Sequence, residues 1–247
     1  MSGGLNYYYT TVAPGPRRGA VSTSRREIAH IGTAYAVLSF DLLVIFSGAT
    51  FLFGSGATGL VYALTPTVVA VALTAAFTGF VAHELAHKIV AQRRGFWAEF
   101  RMWPAGLLLS VVTALAGFLW GAPGATVVSG MSESDRADWG KTSVAGPLVN
   151  VTFGLGFLAA GLTSYVLGSS LATWLLLLAW INGWFGTFNM IPVGPLDGRK
   201  VLRWNAGAWL GAILFTGAVA AFSIMAVYSM AYYGTPFHYY HAIAGGL

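Results

Sequence analysis

Two histidines and a glutamate lie inside an apolar run of the sequence, FVAHELAHKIV at residues 80–90. His83 and His87 are four positions apart, so on a helix both rings project from one face, and two imidazoles at this spacing reach one zinc ion. Glu84 lies one residue on, roughly 100° around the helix. We therefore expect Glu84 to lie beside the metal, where a general base acts on a metal-activated water.

The apolar surroundings of this motif favour a functional interpretation. An H-E-x-x-H pattern also arises by chance in soluble helices, and that is the alternative. Ionisable side chains at membrane depth are rare and functional by default, however, and three within five positions need a shared partner. A bound divalent cation satisfies both rings, so the pattern predicts one zinc ion per chain, held by His83 and His87.

A zinc hydrolase needs a third protein ligand and an open position for water, and two carboxylates lie at apolar boundaries. Asp197 lies in FNMIPVGPLDGRK, where two prolines end the preceding helix and a glycine supplies a turn. This segment is expected near the membrane boundary, at the depth of the histidines, so Asp197 is the preferred third ligand. Asp41 lies about mid-span, where we expect a satisfied polar contact; a pore, or support for a metal ligand, is the minor alternative.

The composition indicates an integral membrane protein. Only 9% of the 247 residues are charged and 56% are hydrophobic, with a mean hydropathy of +0.68, whereas soluble domains carry about 25% charged residues. The chain has no cysteine, which excludes disulfides and thiolate metal sites. The net charge of +5 comes from basic residues beside apolar spans, a pattern typical of the cytoplasmic membrane face rather than of nucleic-acid binding.

Apolar runs and basic clusters together predict the topology. Spans are expected at 31–53, about 60–90 and about 207–232, with two more in the charge-free stretch 142–196. Basic clusters at 17–26, 88–101, 136–141 and 199–203 should all lie in the cytoplasm, so an even number of crossings separates neighbouring clusters. The interval between the second and third clusters must then be re-entrant, with a short helix at 104–121 and a returning strand at 125–130. The expected fold is an α-helical polytopic membrane protein of about five transmembrane helices plus this re-entrant helix/β element.

Three motifs together resemble the site-2 protease family of intramembrane zinc metalloproteases: HELAH at 83–87, AGPLVN at 145–150 and NMIPVGPLDG at 189–198. The second contains the G-P-x-x-N element, and the third matches N-x-x-P-x-x-x-x-D-G, whose aspartate joins the H-E-x-x-H motif in the active site of the family. The matching residues outside HELAH are Gly146, Pro147, Asn150, Asn189, Pro192, Asp197 and Gly198. The resemblance covers about residues 31–205. The apolar insert 104–121 exceeds the family's simple hairpin, and no PDZ or CBS domain is recognisable.

The resemblance implies a function and a mechanism. The expected function is hydrolysis of peptide bonds within or near transmembrane segments of membrane-protein substrates, by a zinc-activated water with Glu84 as general base. Zinc would be bound by His83, His87 and Asp197. Asn189 is the candidate donor to the developing oxyanion, and capping of its own helix is the alternative role. A membrane-inserted β-hairpin of the family pairs with the unwound substrate, a role that fits residues 125–130.

The same resemblance sets expectations for organisation and partners. Residues 1–28 are expected to form a cytosolic N-terminal tail, 29–205 the intramembrane metalloprotease core, and 206–247 a C-terminal transmembrane helix and tail. The partners would be transmembrane protein substrates and the lipid bilayer, with no nucleic acid. The protein would be a multi-pass cell-membrane protein whose N-terminus and active-site opening face the cytoplasm. A catalytically inactive homologue that binds membrane proteins, or a membrane zinc transporter, are the alternatives.

Overall fold

The structure is a computed structural model that describes residues 20–50, 52, 65–132 and 134–233. These residues form helices around one antiparallel two-stranded sheet. In chain order the elements are α1 (Arg25–Phe46), α2 (Pro66–Ala76), a π-helical turn (Phe77–Val81), α3 (Ala82–Arg93), β1 (Trp97–Met102), α4 (Pro104–Ala116), β2 (Gly124–Ser129), α5 (Arg136–Val166), α6 (Ala172–Asn189), α7 (Asp197–Trp204) and α8 (Ala206–Tyr233).

Four helical stretches among the described residues are long and apolar enough to cross a membrane. They are α1, the continuous run from α2 through α3, α5 and α8. The predicted class, a helical polytopic membrane protein, is thereby confirmed. The expected fifth span corresponds to α6, an 18-residue helix with Asn182 and Asn189 in its second half, which is not among these four.

The ends of the spans differ from the sequence expectation. Helix α1 begins at Arg25 rather than residue 31, because Ser24 caps it by accepting a hydrogen bond from the backbone N–H of Glu27. It ends at Phe46 rather than residue 53. Residues 1–19 of the expected tail, the turn-rich segment 54–59 and the C-terminal segment 234–247 lie outside the described residues. The division into tail, core and C-terminal helix stays a prediction.

The segment between the two strands leaves the sheet and returns to it. Helix α4 has 13 residues, roughly 20 Å of helix, which is too short for a hydrocarbon core of about 30 Å. Strand β2 pairs antiparallel with β1, and Met102 at the end of one strand lies opposite Gly124 at the start of the other. The excursion therefore makes no net crossing, as the re-entrant interpretation requires.

Close helix packing in the second half of the chain depends on small residues. At Gly183 of α6, an added Cβ would lie 2.5 Å from the backbone nitrogen of Ala220 in α8. The two backbones therefore approach more closely than any larger side chain permits, a common way of packing helices where lipid supplies no hydrophobic driving force. This packing holds α6 and its polar C-terminal end against α5 and α8.

A buried ion pair joins the start of α1 to the motif helix α3. The Lys88 ammonium lies 2.5 Å from Oε2 of Glu27 and also donates to the Thr23 hydroxyl. The other oxygen of Glu27 accepts the backbone N–H of Phe100 in β1 at 3.0 Å. Both charged side chains are almost completely buried. Lys88 is the first residue of the basic cluster expected at 88–101, and its charge is neutralised inside the protein.

Asp41 occupies a different kind of position in α1. Its side chain is fully buried, and neither carboxyl oxygen has a hydrogen-bond partner among the described residues. The polar group that faces it is the hydroxyl of Ser110 in α4, which donates instead to the carbonyl of Leu107. Within the described residues the expected satisfied polar contact is thus not formed, and the contacts of Asp41 there do not reach the motif residues.

Candidate metal centre

The motif helix is preceded by a local irregularity that sets its orientation. Residues Phe77–Val81 form a π-helical turn that continues without a break into α3, and such turns occur frequently at functional sites. His83 and His87 project from α3 towards α5, where both rings are buried. Because the rings belong to one helix face, their relative position is fixed by the backbone.

Three side chains meet at this face. Nε2 of His83 lies 2.9 Å from Nε2 of His87. Oδ2 of Asp197, at the start of α7, lies 3.4 Å from the first nitrogen and 3.0 Å from the second. The structure thus brings together the three residues predicted as metal ligands, from two elements more than 100 residues apart in sequence. Their role as ligands stays a prediction.

The outer nitrogen of each ring has a defined partner. Nδ1 of His83 lies 2.6 Å from Oδ1 of Asn150, and Nδ1 of His87 lies 2.7 Å from the backbone carbonyl of Thr142. Both partners accept hydrogen bonds, so each Nδ1 carries a proton, and Nε2 is the atom that each neutral ring has left to bind a metal. Such outer partners orient metal-binding histidines and raise their basicity.

This donor set fits a zinc ion. Two imidazole lone pairs and one carboxylate oxygen converge, and His/Asp ligation by three side chains is typical of a catalytic zinc site. Glu84 belongs to the same group, since ligand atoms of His83, Glu84 and His87 all lie within 4.8 Å of one another. Lone pairs that face each other without a cation repel, so the arrangement favours a bound dication.

Helix α5 approaches the two rings through a glycine. A Cβ added at Gly146 would lie 2.6 Å from Nε2 of both His83 and His87, closer than side-chain carbons ever approach. The next residue, Pro147, has no N–H and interrupts the helical hydrogen bonds at this level. The Gly-Pro pair thus leaves room for the site and lies one turn beyond the Thr142 carbonyl that binds His87.

The electrostatic surroundings keep Asp197 charged. Burial would raise the pKa of its carboxyl, but the adjacent His87 and His83 rings and the Lys200 ammonium, 3.5 Å away, hold that pKa well below its usual range. The ionised carboxylate is the form that binds a metal. Asp197 lies outside the four membrane-spanning stretches, at the first position of α7.

Glu84 makes its contacts on the side of the sheet. Its Oε2 accepts the backbone N–H of Thr126 at 2.7 Å and the Thr126 hydroxyl at 2.8 Å. The carboxylate therefore lies between the two histidines of its own helix and strand β2. This position agrees with a group beside the metal ligands.

A cavity of about 160 Å³ opens onto these groups. Its wall combines site residues with apolar side chains and with the segment leading into β2; the residues include Glu84, His87, Asp197, Asn189, Gly121, Thr126, Phe185 and Phe188. Asn189, the candidate donor, lines the cavity at the end of α6, but its amide donates to the carbonyl of Phe185 at 3.0 Å. That bond is the helix-capping role named as the alternative, and the catalytic role stays a prediction.

Sequence reasoning missed the residues that orient the site. Asn150 was matched to a motif without a role, yet besides His83 it binds the carbonyl of Gly79 in the π-helical turn, at 2.9 Å. Asn182 of α6 donates to the Thr78 hydroxyl and braces the same turn. Both amides are completely buried. Asparagines within the long charge-free stretch 142–196 were the available signal.

Comparison with known proteins supplies relatives of this chain. The chain is 38% identical over 141 residues to "Putative zinc metalloprotease MJ0611" of Methanocaldococcus jannaschii, an alignment that covers 56% of this chain and 72% of that protein. It is 32% identical over 193 residues to "Putative zinc metalloprotease Rip3" of Mycobacterium tuberculosis. The latter alignment covers 75% of this chain and 43% of the relative, so the chain spans less than half of that protein.

Two further comparisons give no match, since neither a family model nor a solved structure matches the chain. The relationship therefore depends on the two named proteins and on the site. The first alignment extends over more than two thirds of the relative, and the His-Glu-His group that could hold a metal ion lies at one buried face. The chain belongs to the zinc metalloprotease family.

Proposed function

We propose that this protein is an intramembrane zinc metalloprotease of the site-2 protease type, which cleaves peptide bonds within or near transmembrane segments of membrane proteins. The convergence of His83, His87 and Asp197 beside an apolar, membrane-spanning helix carries the proposal. A hydrolytic site that opens within such a helix bundle is suited to substrates that reach it from the bilayer.

The residues of the site would have distinct roles in the hydrolysis. Zinc held by the two histidines and Asp197 would supply a water molecule whose pKa falls to about 7. Glu84 would accept the proton of that water and pass it to the leaving amine, as a general base and then a general acid. The apolar side chains that line the cavity, such as Phe185 and Phe188, limit bulk water and so strengthen these electrostatic interactions.

The sheet offers one edge to a substrate. The outer edge of β1 is occupied, because Gln92 donates to the carbonyl of Ala98 and Glu27 accepts the N–H of Phe100. The outer edge of β2 faces the cavity through Thr126 and Val128, and the Thr126 N–H on this edge donates to Glu84 of the site itself. We therefore propose that an unwound substrate segment adds to β2 as a strand, which would present its carbonyl groups to the site.

The candidate oxyanion donor is Asn189. Its amide has two N–H groups, and one of them donates to the carbonyl of Phe185. The second N–H is the group that would bind the developing oxyanion in the cavity. Removing such a donor typically lowers the rate by about 10²–10³.

The orientation follows from charge. We propose that the N-terminus and the basic residues around 93–101, 136–141 and 199–203 lie in the cytoplasm. The active site would then open towards the cytoplasmic face, in a multi-pass protein of the cell membrane. Lys88 is left out of this assignment because it is buried in an ion pair.

The test is proteolysis by purified protein with Glu84→Gln beside the wild type. The substrate is a reporter with one transmembrane segment and a central Gly-Pro pair, which favours unwinding. Glu84→Gln keeps shape but cannot accept the proton, so the rate should fall by about 10²–10⁴ while zinc content and thermal stability stay close to wild type. Asp197→Ala should lose zinc and activity together.

The outcomes separate the alternatives. A catalytically inactive homologue would bind the reporter without cleavage in either protein, and a zinc transporter would move zinc into vesicles without cleavage. Cleavage by Glu84→Gln at near wild-type rate would refute the mechanism. Full zinc content in Asp197→Ala, measured by atomic absorption, would refute the third ligand.

A further inference from the structure

The hydrogen bonds that the structure describes for the Glu84 carboxylate all come from one residue, Thr126. The Thr126 backbone N–H and the Thr126 hydroxyl both lie within hydrogen-bond distance of the same carboxylate oxygen, Oε2, at 2.7 and 2.8 Å. The hydroxyl also lies 3.0 Å from the backbone carbonyl of Glu84. A hydroxyl has a single proton, so the carboxylate and this carbonyl share it. Strand β2 and the motif helix are thus joined at the carboxylate itself.

The position of Thr126 in the sheet places its backbone N–H at the edge where a further strand could pair. Thr126 lies opposite Phe100 in the antiparallel pair. The N–H of Phe100 points away from β2 to Glu27, and the N–H of Thr126 points away from β1 to Glu84. The two residues therefore form a non-hydrogen-bonded pair. The amide that Glu84 now occupies belongs to the edge that faces the cavity, and an added strand would need this group.

We propose that Thr126 is the positioning residue of Glu84, and that its two donors serve in sequence. In the free protein both donors hold the carboxylate. When a substrate strand adds to β2, the backbone N–H passes to a substrate carbonyl and the hydroxyl alone keeps Glu84 beside the metal ligands. Substrate binding and release of the base from the strand are thereby coupled. This inference rests on the proposed function.

The alternative is that the contact only docks β2 on α3. The two roles differ in what the hydroxyl does once substrate is bound. A docking contact affects folding and the shape of the edge, and so KM or stability. A positioning contact acts on the proton transfer, and so changes kcat while KM and zinc content are retained.

Thr126→Val and Thr126→Ser separate these roles by kinetics. Valine keeps the shape and the backbone N–H but removes the hydroxyl, so kcat should fall about tenfold, the change expected for one lost hydrogen bond to a charged group. KM and zinc content should stay within about twofold of wild type, since the amide and the ligands are unchanged. Serine keeps the hydroxyl and should restore most of kcat. The control is Thr152→Val, the same change at an exposed α5 position whose hydroxyl donates to the carbonyl of Leu148 in its own helix.

Hydrogen exchange of the Thr126 amide tests the transfer without catalysis. In metal-free wild-type protein the amide should be protected, because it donates to Glu84. In metal-free Glu84→Ala it should exchange at least about tenfold faster, since an edge amide without an acceptor is open to water. A capped peptide of alternating leucine and valine, added to Glu84→Ala, should restore protection by pairing with β2.

Each result decides the inference. Wild-type kcat in Thr126→Val, or failure of Thr126→Ser to restore activity, would overturn the positioning role. If Thr126→Val does not fold, the serine variant and the exchange measurement still test it, and unprotected Thr126 in the wild type would also overturn it. Failure of the proposed function is distinguishable, because then either the wild type would not cleave the reporter or Glu84→Gln would cleave it as fast, whatever the exchange of the Thr126 amide shows.

Discussion

Each strand of the sheet directs one backbone N–H outward, at two residues that lie opposite each other in the pair. A glutamate accepts each of these N–H groups. Glu27 accepts the N–H of Phe100 at 3.0 Å, and Glu84 accepts the N–H of Thr126 at 2.7 Å. The surroundings of the two carboxylates differ. Glu27 is completely buried and lies 2.5 Å from the ammonium of Lys88, whereas Glu84 is partly exposed in the wall of a cavity.

This difference separates a structural carboxylate from a chemical one. The charge of Glu27 is compensated and every bond it makes is internal, so it closes its edge of the sheet. Glu84 lies beside the nitrogen and oxygen atoms that could bind a metal. Among the described ion pairs, the lysine at this group is Lys200, which contacts Asp197. His87 and Lys88 are neighbours on one helix but belong to sites with opposite requirements. The site of Lys88 is already neutral, whereas the site of His87 needs a cation.

Breaking the closed edge should give the largest effect on stability. Lys88→Met leaves the Glu27 carboxylate buried and unpaired, which should lower the free energy of unfolding by about 3–5 kcal/mol. Glu27→Gln leaves the Lys88 ammonium unpaired, with a similar result. The double variant removes both charges and keeps an acceptor for Phe100, so it should recover most of the loss. Denaturation in detergent, followed by circular dichroism, measures these values.

The edge of β2, where Glu84 accepts the N–H of Thr126, should behave differently in the same assay. Glu84→Gln retains an acceptor for Thr126 and should change stability by less than about 1 kcal/mol. If Glu84→Gln destabilised the protein as strongly as Lys88→Met, both carboxylates would be structural. If the double variant at the closed edge stayed as unstable as the single ones, the two charges would not be acting as a pair.

The sequence predicts the parts of this arrangement that depend on local rules. Helical periodicity places His83 and His87 on one face, and prolines mark the helix end before Asp197, so the residues that meet in the structure could be named in advance. The short helix and returning strand followed from charge parity, because basic clusters on one side permit no net crossing between them. The observed strand, Gly124–Ser129, begins one residue before the expected 125–130.

The remaining features depend on contacts between distant segments. A lysine next to an apolar span is usually solvated, and only the packing of α1 on α3 shows that Lys88 is paired with Glu27, 61 residues earlier. The partners of the two rings, Asn150 and the Thr142 carbonyl, come from α5, and no periodicity within α3 specifies them. The contact of Thr126 with Glu84 likewise follows from the register of the sheet against the helix.

Removing the partner of His83 should weaken the metal site by an intermediate amount. Asn150→Ala takes away the acceptor that fixes the ring and should lower zinc affinity about 10–100-fold, or about 1.4–2.7 kcal/mol. Asn150→Asp keeps an acceptor for Nδ1 and should lose less. Competition with a chelating dye measures the affinity.

The control for this prediction is Asn205→Ala. Asn205 caps α8 by accepting the N–H of Ala208 at 2.8 Å, away from the rings, so its loss should lower stability by about 1 kcal/mol without changing zinc affinity. Equal zinc affinity in Asn150→Ala and wild type would show that the ring is held by α3 alone, and the centre would then be less dependent on α5 than its hydrogen bonds indicate.

The smallest effect is expected at Asp41, which belongs to neither kind of site. Its buried carboxyl has no hydrogen-bond partner among the described residues, and such a group costs about 1–3 kcal/mol relative to a well-solvated one. Asp41→Leu should therefore leave the free energy of unfolding unchanged or raise it by about 1 kcal/mol, with zinc content and cleavage rate close to wild type.

Ser39→Ala is the matched control, because that buried hydroxyl is likewise without a partner in the described part of the chain and is a smaller polar group. A loss of stability in Asp41→Leu but not in Ser39→Ala would mean that Asp41 binds a water or cation, and α1 would then contain a polar site of its own.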